Sequence, residues 1–320
     1  MTQPFPGWSE AVPGPLAPAL IACAAGTLPA NVALMRLIGE AAEECAAQRA
    51  LAAALAACEA AGQQAETERL RRLEALWRGS PGAWRIVKAV FAEADHDSPA
   101  EGGEAAIARW AAVFDRLAKL SPEASVALYS LGRSDLLDAA TDELVRLLRS
   151  WGLLDRQADV LDLGCGIGRL AAALAGEVGS VIGIDVAPAM IAAARRRCAG
   201  LANIRLMQTA GQDLSAFADG SFDLVLAVDV FPYLVQAGME VAARHVREAA
   251  RVLKDGGALL IFNFSYRGDL ETDGADVSRL ARAGGLTVIG AGSRDLSLWD
   301  GAAFRLAKPE IVPSLDMDVR

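Results

Sequence analysis

The residues best suited to bind a ligand are three glycines at alternate positions, Gly164, Gly166 and Gly168, which directly follow a short predicted strand over residues 160–163. Glycine lacks a Cβ atom, so the backbone can turn sharply here and lie against a bound molecule. The alanine-rich stretch that starts at Arg169 predicts a helix, whose first N–H groups would point toward the same molecule. A strand, a glycine turn and a helix in this order form the first half of a nucleotide-binding βαβ unit.

Two aspartates accompany the glycine turn. Asp162 lies two positions before Gly164, and Asp185 ends the next predicted strand, 17 residues after Gly168. A carboxylate at the end of that strand can accept hydrogen bonds from both hydroxyls of a ribose. The glycine spacing is G-x-G-x-G, with Arg169 in the place of the third glycine of the dinucleotide fingerprint. This spacing disfavours an NAD-binding site.

This combination resembles the class I S-adenosylmethionine-dependent methyltransferases, whose first motif reads (D/E)-x-G-x-G-x-G. The resemblance covers residues 130–308 and implies an α/β fold with a Rossmann-like core, whose seven-stranded sheet is mostly parallel. It implies that S-adenosylmethionine is the cofactor, with its methionine half in the glycine turn, its ribose at Asp185 and its adenine near Val186 or Met190. The residues implied for cofactor binding are Asp162, Gly164, Cys165, Gly166, Gly168, Asp185, Val186, Met190, Gln212, Asp213, Leu214 and Asp229.

The alternation of strands and helices after residue 159 agrees with this fold, because it is typical of a parallel sheet with helices on both faces. The last two strands are expected to form an antiparallel pair. Predicted strands span 159–163, 181–185, 204–208, 223–228, 257–264, 286–292 and 302–307, and predicted helices lie near 168–176, 188–199, 240–253 and 276–283.

Several side chains are candidates for the acceptor side of the site. Tyr233, His245 and Tyr129 are the candidates for catalysis, and a histidine base would suit methylation of oxygen. Each has a simpler interpretation: Tyr129 packs the linker, Tyr233 belongs to the core, and His245 lies on a helix surface. The candidates for the substrate wall are Tyr129, Phe231, Tyr233, Asn263 and Tyr266.

The first 125 residues show helical periodicity and no strand pattern. We therefore expect an all-α N-terminal domain over residues 1–125, with helices over about 31–61, 65–77, 83–94 and 104–120, and a cofactor-binding domain over residues 126–320. The helical domain is either a lid that recognises the substrate or a packing surface for a homodimer.

The amino-acid composition disfavours several classes of ligand and partner. The net charge of −9 disfavours a nucleic-acid substrate, because phosphate binding requires a basic surface. Five scattered cysteines and two histidines predict neither a metal site nor a disulfide framework. The proline-containing start lacks a basic segment, and the apolar stretch 16–38 is interrupted by Pro18, Gly26 and Pro29. We therefore expect a cytoplasmic protein with no membrane span.

The sequence thus predicts methyl transfer from S-adenosylmethionine to a small molecule, at an oxygen, nitrogen or carbon nucleophile. Such a reaction depends mainly on alignment of donor and acceptor, and it needs a base only when the acceptor is protonated. Two alternatives stay open: a cofactor-binding regulatory or scaffold protein without turnover and, less favoured, an NAD-dependent oxidoreductase.

Overall fold

The computed structural model describes residue 12 and residues 14–94 and 102–310, which form a helical region followed by an α/β region. The helical region also contains two short 3-10 turns, Gly14–Leu16 and Leu128–Ser130. Its helices are α1 (Ala17–Ala25), α2 (Ala30–Glu40), α3 (Glu44–Ala60), α4 (Gln64–Arg78), α5 (Ala83–Ala94), α6 (Gly103–Leu120) and α7 (Pro122–Val126).

The α/β region has seven strands and six helices among the described residues. The strands are β1 (Asp159–Leu163), β2 (Ser180–Asp185), β3 (Ile204–Gln208), β4 (Phe222–Val228), β5 (Leu253–Phe262), β6 (Thr287–Ser293) and β7 (Ala303–Ala307). The helices are α8 (Ser134–Ser150), α9 (Arg169–Leu174), α10 (Pro188–Arg197), α11 (Phe231–Ala237), α12 (Met239–Val252) and α13 (Leu270–Ala283).

The strands form a single sheet in the order β3-β2-β1-β4-β5-β7-β6. The pairings among β1 to β5 are parallel, and β7 runs antiparallel to both β5 and β6. The prediction of a seven-stranded, mostly parallel sheet in a Rossmann-like fold is confirmed. The order reverses direction between β1 and β4, and ligands of open α/β sheets bind at such a point.

The helices depart most from the predicted ones at three places in the chain. The alanine-rich stretch 31–61 forms two helices, because the chain becomes extended at Ala41 and Glu43. Helix α13 begins six residues before the predicted start, since the Asp269 side chain caps it by accepting a hydrogen bond from the N–H of Thr272. Helix α11 is absent from the predicted set, and Pro232 stands in its first turn, where proline favours helix initiation.

Polar contacts join the helical region to the sheet. The Asn31 side chain does not cap α2, which begins one residue earlier at Ala30. It instead donates to the backbone carbonyls of Tyr129 at 3.0 Å and Leu298 at 2.8 Å. Asp115 on α6 accepts a hydrogen bond of 2.7 Å from the N–H of Ala189, in the first turn of α10. Helix α6 is thereby fixed against the helix that follows β2.

The hydrophobic core is continuous across the predicted domain boundary at residues 125 and 126. One cluster of buried side chains contains Leu37 and Leu70 from the helical region together with Val160, Phe262 and Trp299 from the sheet region. The boundary itself stays a prediction. Within the described part of the chain, no helix has the length and apolar character needed to cross a membrane.

Candidate active site

A cavity of about 550 Å³ lies between the helical region and the carboxyl ends of the central strands. Gly164 follows β1, Asp185 ends β2, Asp229 follows β4 and Asn263 follows β5, and all four line the cavity. This is the edge of the sheet where the strand order reverses. The helical region covers it with mostly apolar side chains, among them Val90, Phe91, Ile107, Trp110, Phe114 and Leu117.

The glycine turn and the end of β2 are held together by the Asp185 carboxylate. Oδ2 accepts a hydrogen bond of 2.9 Å from the N–H of Gly166, and Oδ1 accepts one of 2.9 Å from the N–H of Ala187. Burial raises the pKa of Asp185, while its backbone hydrogen bonds lower it. Gly166 has a φ of 53°, and a Cβ atom there would lie 2.4 Å from Cγ1 of Val126. The turn therefore requires glycine for both backbone conformation and space.

Asp162 and Arg169 are buried charged residues on either side of the turn. Oδ2 of Asp162 makes no hydrogen bond within the described residues. Burial raises the pKa of Asp162 to about 7, and the positive charge of Arg169 opposes this rise. Arg169 donates from Nη1 to Oγ1 of Thr141 at 3.1 Å. Neither charged side chain is part of the cavity wall.

Asp229 and Asn263 adopt a left-handed backbone at the ends of neighbouring strands, each with a φ of 59°. Non-glycine residues seldom adopt this conformation, and aspartate and asparagine do so more readily than most. The Asn263 amide donates to Oδ1 of Asp229 at 3.0 Å and accepts from the N–H of Ala302 at 3.2 Å. The Tyr266 hydroxyl donates to the same Oδ1 at 2.9 Å. This strained pair thus presents a hydrogen-bonded carboxylate at the cavity wall.

An aromatic cluster continues from this carboxylate to the helical region. The hydroxyls of Tyr266 and Tyr233 are 3.2 Å apart. The ring of Tyr233 packs edge-on against Trp110 and Phe114, with centroid distances of 4.7 and 4.9 Å. Burial is the main cause that raises the pKa of both tyrosines, so their hydroxyls stay protonated at neutral pH. The cluster offers apolar ring surface beside hydroxyl groups.

Many of the side chains singled out in the sequence meet at the cavity. Tyr129 does so while stacking on Trp299 at a centroid distance of 5.5 Å. The candidates that line the cavity are Tyr129, Gly164, Gly166, Asp185, Val186, Met190, Asp213, Asp229, Tyr233, His245, Asn263 and Tyr266.

The remaining candidates are not brought to the cavity wall. Phe231 is fully buried and stacks on Phe264. Leu214 is also buried, and its carbonyl accepts a hydrogen bond from Arg251. The others lie in or beside the glycine turn or in the loop after β3: Asp162, Cys165, Gly168 and Gln212.

His245 is buried rather than exposed on the surface of α12. Its Nδ1 lies 2.9 Å from the backbone carbonyl oxygen of Val241. Burial lowers the pKa of His245, which keeps the ring neutral at physiological pH. Nδ1 is therefore engaged with the helix backbone.

Sequence reasoning missed the contribution of α6 to the cavity. Trp110 and Phe114 are four residues apart and share one face of the helix, a spacing that by itself favours a place in the core. The four-residue spacing predicts that the two side chains share a face of α6, but it does not predict that this face lines the cavity.

Residues 161–261 match the family model described as "Methyltransferase domain". The demethylmenaquinone methyltransferase of Tropheryma whipplei is 38% identical over 108 residues, which make up 34% of this chain and 42% of that protein. The 2-methyl-6-phytyl-1,4-hydroquinone methyltransferase of Synechocystis is 33% identical over 131 residues, 40% of this chain and 39% of that protein. The chain thus spans less than half the length of either relative.

A solved structure shares the fold over a longer stretch. Phosphoethanolamine N-methyltransferase 1 of Haemonchus contortus, solved with phosphoethanolamine and S-adenosylhomocysteine, aligns with a TM-score of 0.53 and 18% identity. The alignment covers 66% of this chain and 50% of that chain. At this level of identity the similarity shows the fold alone.

Proposed function

We propose that this chain, which carries a class I S-adenosylmethionine-dependent methyltransferase domain, transfers a methyl group from S-adenosylmethionine to an apolar small molecule. The observation that carries the proposal is the composition of the single cavity described above. One wall holds the glycine turn and Asp185, and a second wall holds the aromatic side chains of α6. Donor and acceptor could therefore meet in one enclosed space.

The residues at the first wall fit S-adenosylmethionine. Gly164 and Gly166 have no side chains to cover the backbone, so a ligand can lie directly against it. The neighbouring Asp185 carboxylate is suited to accept hydrogen bonds from ribose hydroxyls. Val186 and Met190 offer apolar contact for an adenine ring. When bound, S-adenosylmethionine would supply a methyl group on a positively charged sulfur that is a good leaving group. Carboxylates at the wall favour a ligand of positive charge.

The second wall supports an apolar acceptor. Rings and aliphatic side chains dominate the part of the cavity that the helical region contributes. The two relatives compared above carry names that refer to a quinone and a hydroquinone. We propose that the acceptor of this chain is likewise an apolar small molecule. The role of the protein in the reaction is to exclude water and to align the acceptor atom with the methyl group.

We further propose that the helical region selects the acceptor, with Tyr129 at its junction with the sheet region. Its support is the set of helical side chains on the cavity wall. Homodimerisation through these helices, exclusion of nucleic acids and a cytoplasmic location stay predictions from the sequence.

Two measurements test the proposed function. Calorimetry is expected to give a micromolar dissociation constant for S-adenosylhomocysteine, roughly −8 kcal/mol, and no binding of NAD. Radiolabelled S-adenosylmethionine with a panel of phenols, naphthols and prenylated hydroquinones is expected to label an extractable product. Cofactor binding without labelling, including with metabolite extract, would favour the regulatory alternative, and NAD binding alone would refute the assignment.

Replacing Phe114 with alanine is expected to lower kcat/KM for the acceptor by about tenfold, since an apolar ring contact contributes about 1.5 kcal/mol or more. Binding of S-adenosylhomocysteine is expected to stay unchanged. Phe217→Ala is the matched control, because Phe217 is also half-buried but packs against Phe222 outside the cavity. Equal losses of kcat/KM in both variants would indicate a general effect on stability.

A further inference from the structure

Asp229 is a carboxylate at the cavity wall that accepts hydrogen bonds from two neutral side chains. Its Oδ1 accepts hydrogen bonds from the Tyr266 hydroxyl at 2.9 Å and from the Asn263 amide at 3.0 Å. Both donors reach the same oxygen, so Oδ2 takes part in neither bond. A carboxylate oriented by two neutral donors keeps its capacity to accept a further proton donor.

Among the described residues, four other carboxylates line the cavity, and one of them, Asp213, accepts hydrogen bonds from the hydroxyl and the N–H of Ser215. Asp273 forms an ion pair with Arg267, and Asp300 forms one with Arg36. Asp185 uses both oxygens to accept backbone N–H groups. An ion-paired carboxylate already accepts hydrogen bonds from its cation, so it has less capacity to accept one from a ligand.

The surroundings of Asp229 suit an aromatic hydroxyl compound. Tyr233 packs edge-on against Trp110 and Phe114, and this apolar cluster ends at the hydroxyls of Tyr233 and Tyr266. A ring stacked there would bring a hydroxyl substituent toward the same polar group. Aromatic pairs of this kind are favourable beyond the area that they bury.

We propose that Asp229 accepts the proton of a phenol-like or hydroquinone-like acceptor, and that Asn263 and Tyr266 position its carboxylate for this role. The acceptor O–H bond breaks, the proton joins the carboxylate, and the electron pair stays on the acceptor oxygen. That oxygen, or a ring carbon conjugated to it, becomes the nucleophile. This inference rests on the proposed function for the methyl transfer that follows.

The electrostatics of the site agree with this role. Burial is the main influence on the pKa of Asp229 and raises it, and Asp300 adds to the rise. The hydrogen bonds from Asn263 and Tyr266 and the charge of Arg169 lower it. The titratable groups that act on the pKa of Asp229 are thus Tyr266, Arg169 and Asp300. The negative charge of Asp229 in turn raises the pKa of Tyr233. Because the base must be deprotonated, activity is expected to fall as the pH falls through this pKa.

Asp229→Asn is a suitable test variant, since asparagine tolerates the left-handed conformation as aspartate does. The first test uses para-nitrophenol, whose phenolate absorbs visible light, and contains no S-adenosylmethionine. Removal of the carboxylate is expected to lower the apparent pKa of the bound phenol by about one unit or more, because a nearby like charge disfavours the phenolate. Asp219→Asn, which removes an exposed carboxylate paired with Arg251, is expected to match the wild type.

The second test uses the pH dependence of methyl transfer. Asp229→Asn is expected to lower kcat by about a hundredfold or more and to abolish the acidic limb of kcat/KM. Tyr266→Phe is expected to move that limb to higher pH, because the lost hydrogen bond had lowered the pKa of Asp229. A purely structural role for Tyr266 would leave the limb in place.

The two tests separate this inference from the proposed function. Equal apparent pKa values for nitrophenol in the wild type and Asp229→Asn, or no binding to the wild type, would overturn the proton-accepting role. An acidic limb that persists in Asp229→Asn, together with weaker binding of S-adenosylhomocysteine, would instead make Asp229 a cofactor ligand. A nitrophenol shift in a protein that binds no S-adenosylhomocysteine would sustain the inference and refute the proposed function.

Discussion

Gly166→Val is expected to weaken the binding of S-adenosylhomocysteine by at least about a hundredfold, as measured by calorimetry. A β-branched residue is a strong outlier at the φ of 53° found here. Its Cβ would also lie 2.4 Å from Cγ1 of Val126, so the turn or α7 would have to move. The N–H of residue 166 donates a hydrogen bond to the Asp185 carboxylate, so a displaced turn would also disturb the end of β2.

Gly200→Val is the matched control for this variant. Gly200 also has a positive φ, 86°, but no atom lies within 4 Å of the position that its Cβ would take. This variant carries the cost of the left-handed backbone without the steric overlap, and cofactor binding is expected to be unaffected. Binding that survives in Gly166→Val would contradict the placement of the cofactor at the glycine turn.

Asp185→Ala is expected to impair both stability and cofactor binding. Hydrogen bonds to a charged group contribute about 1.5–3 kcal/mol, and this carboxylate accepts two from the backbone. From the sequence alone, Asp185 would contact only the ligand, and its replacement would have little effect on the stability of the ligand-free protein. The structure leads us to expect a lower melting temperature without ligand and a dissociation constant for S-adenosylhomocysteine raised about tenfold to a hundredfold.

Asp155→Ala provides the comparison. Asp155 also accepts a backbone N–H, that of Gln157, but it lies on an exposed loop. Its replacement is expected to leave cofactor affinity at the wild-type value. An Asp185→Ala protein that melts earlier yet binds S-adenosylhomocysteine normally would limit Asp185 to a structural role.

The parts of the fold that could be predicted are those fixed by short-range sequence. The strand before Gly164, the turn and the strand that ends at Asp185 each follow from a few adjacent residues, because apolar runs, glycines and terminal carboxylates act locally. The register of β1 beside β2 then places Asp185 next to the turn without further information.

The acceptor side could not be predicted in the same way. Trp110 and Tyr233 are 123 positions apart in the chain, and their contact depends on how α6 packs against the end of β4. Phe231 was expected at the substrate wall, but the start of α11 turns its ring into the core against Phe264. The left-handed backbone of Asp229 likewise depends on Asn263, from another strand, which holds its side chain.

The continuous core that joins Leu37 and Leu70 to Val160 and Phe262 limits how this protein can be re-engineered. The helical region is not an exchangeable module, because a graft from another protein would need an apolar surface complementary to the sheet as well as a new acceptor wall. Mismatched grafts would leave cavities in the shared core, which are costly to stability. Under the proposed role of the helical region, acceptor preference is more accessible through single substitutions on the cavity face of α6, where side chains can change without dividing the core.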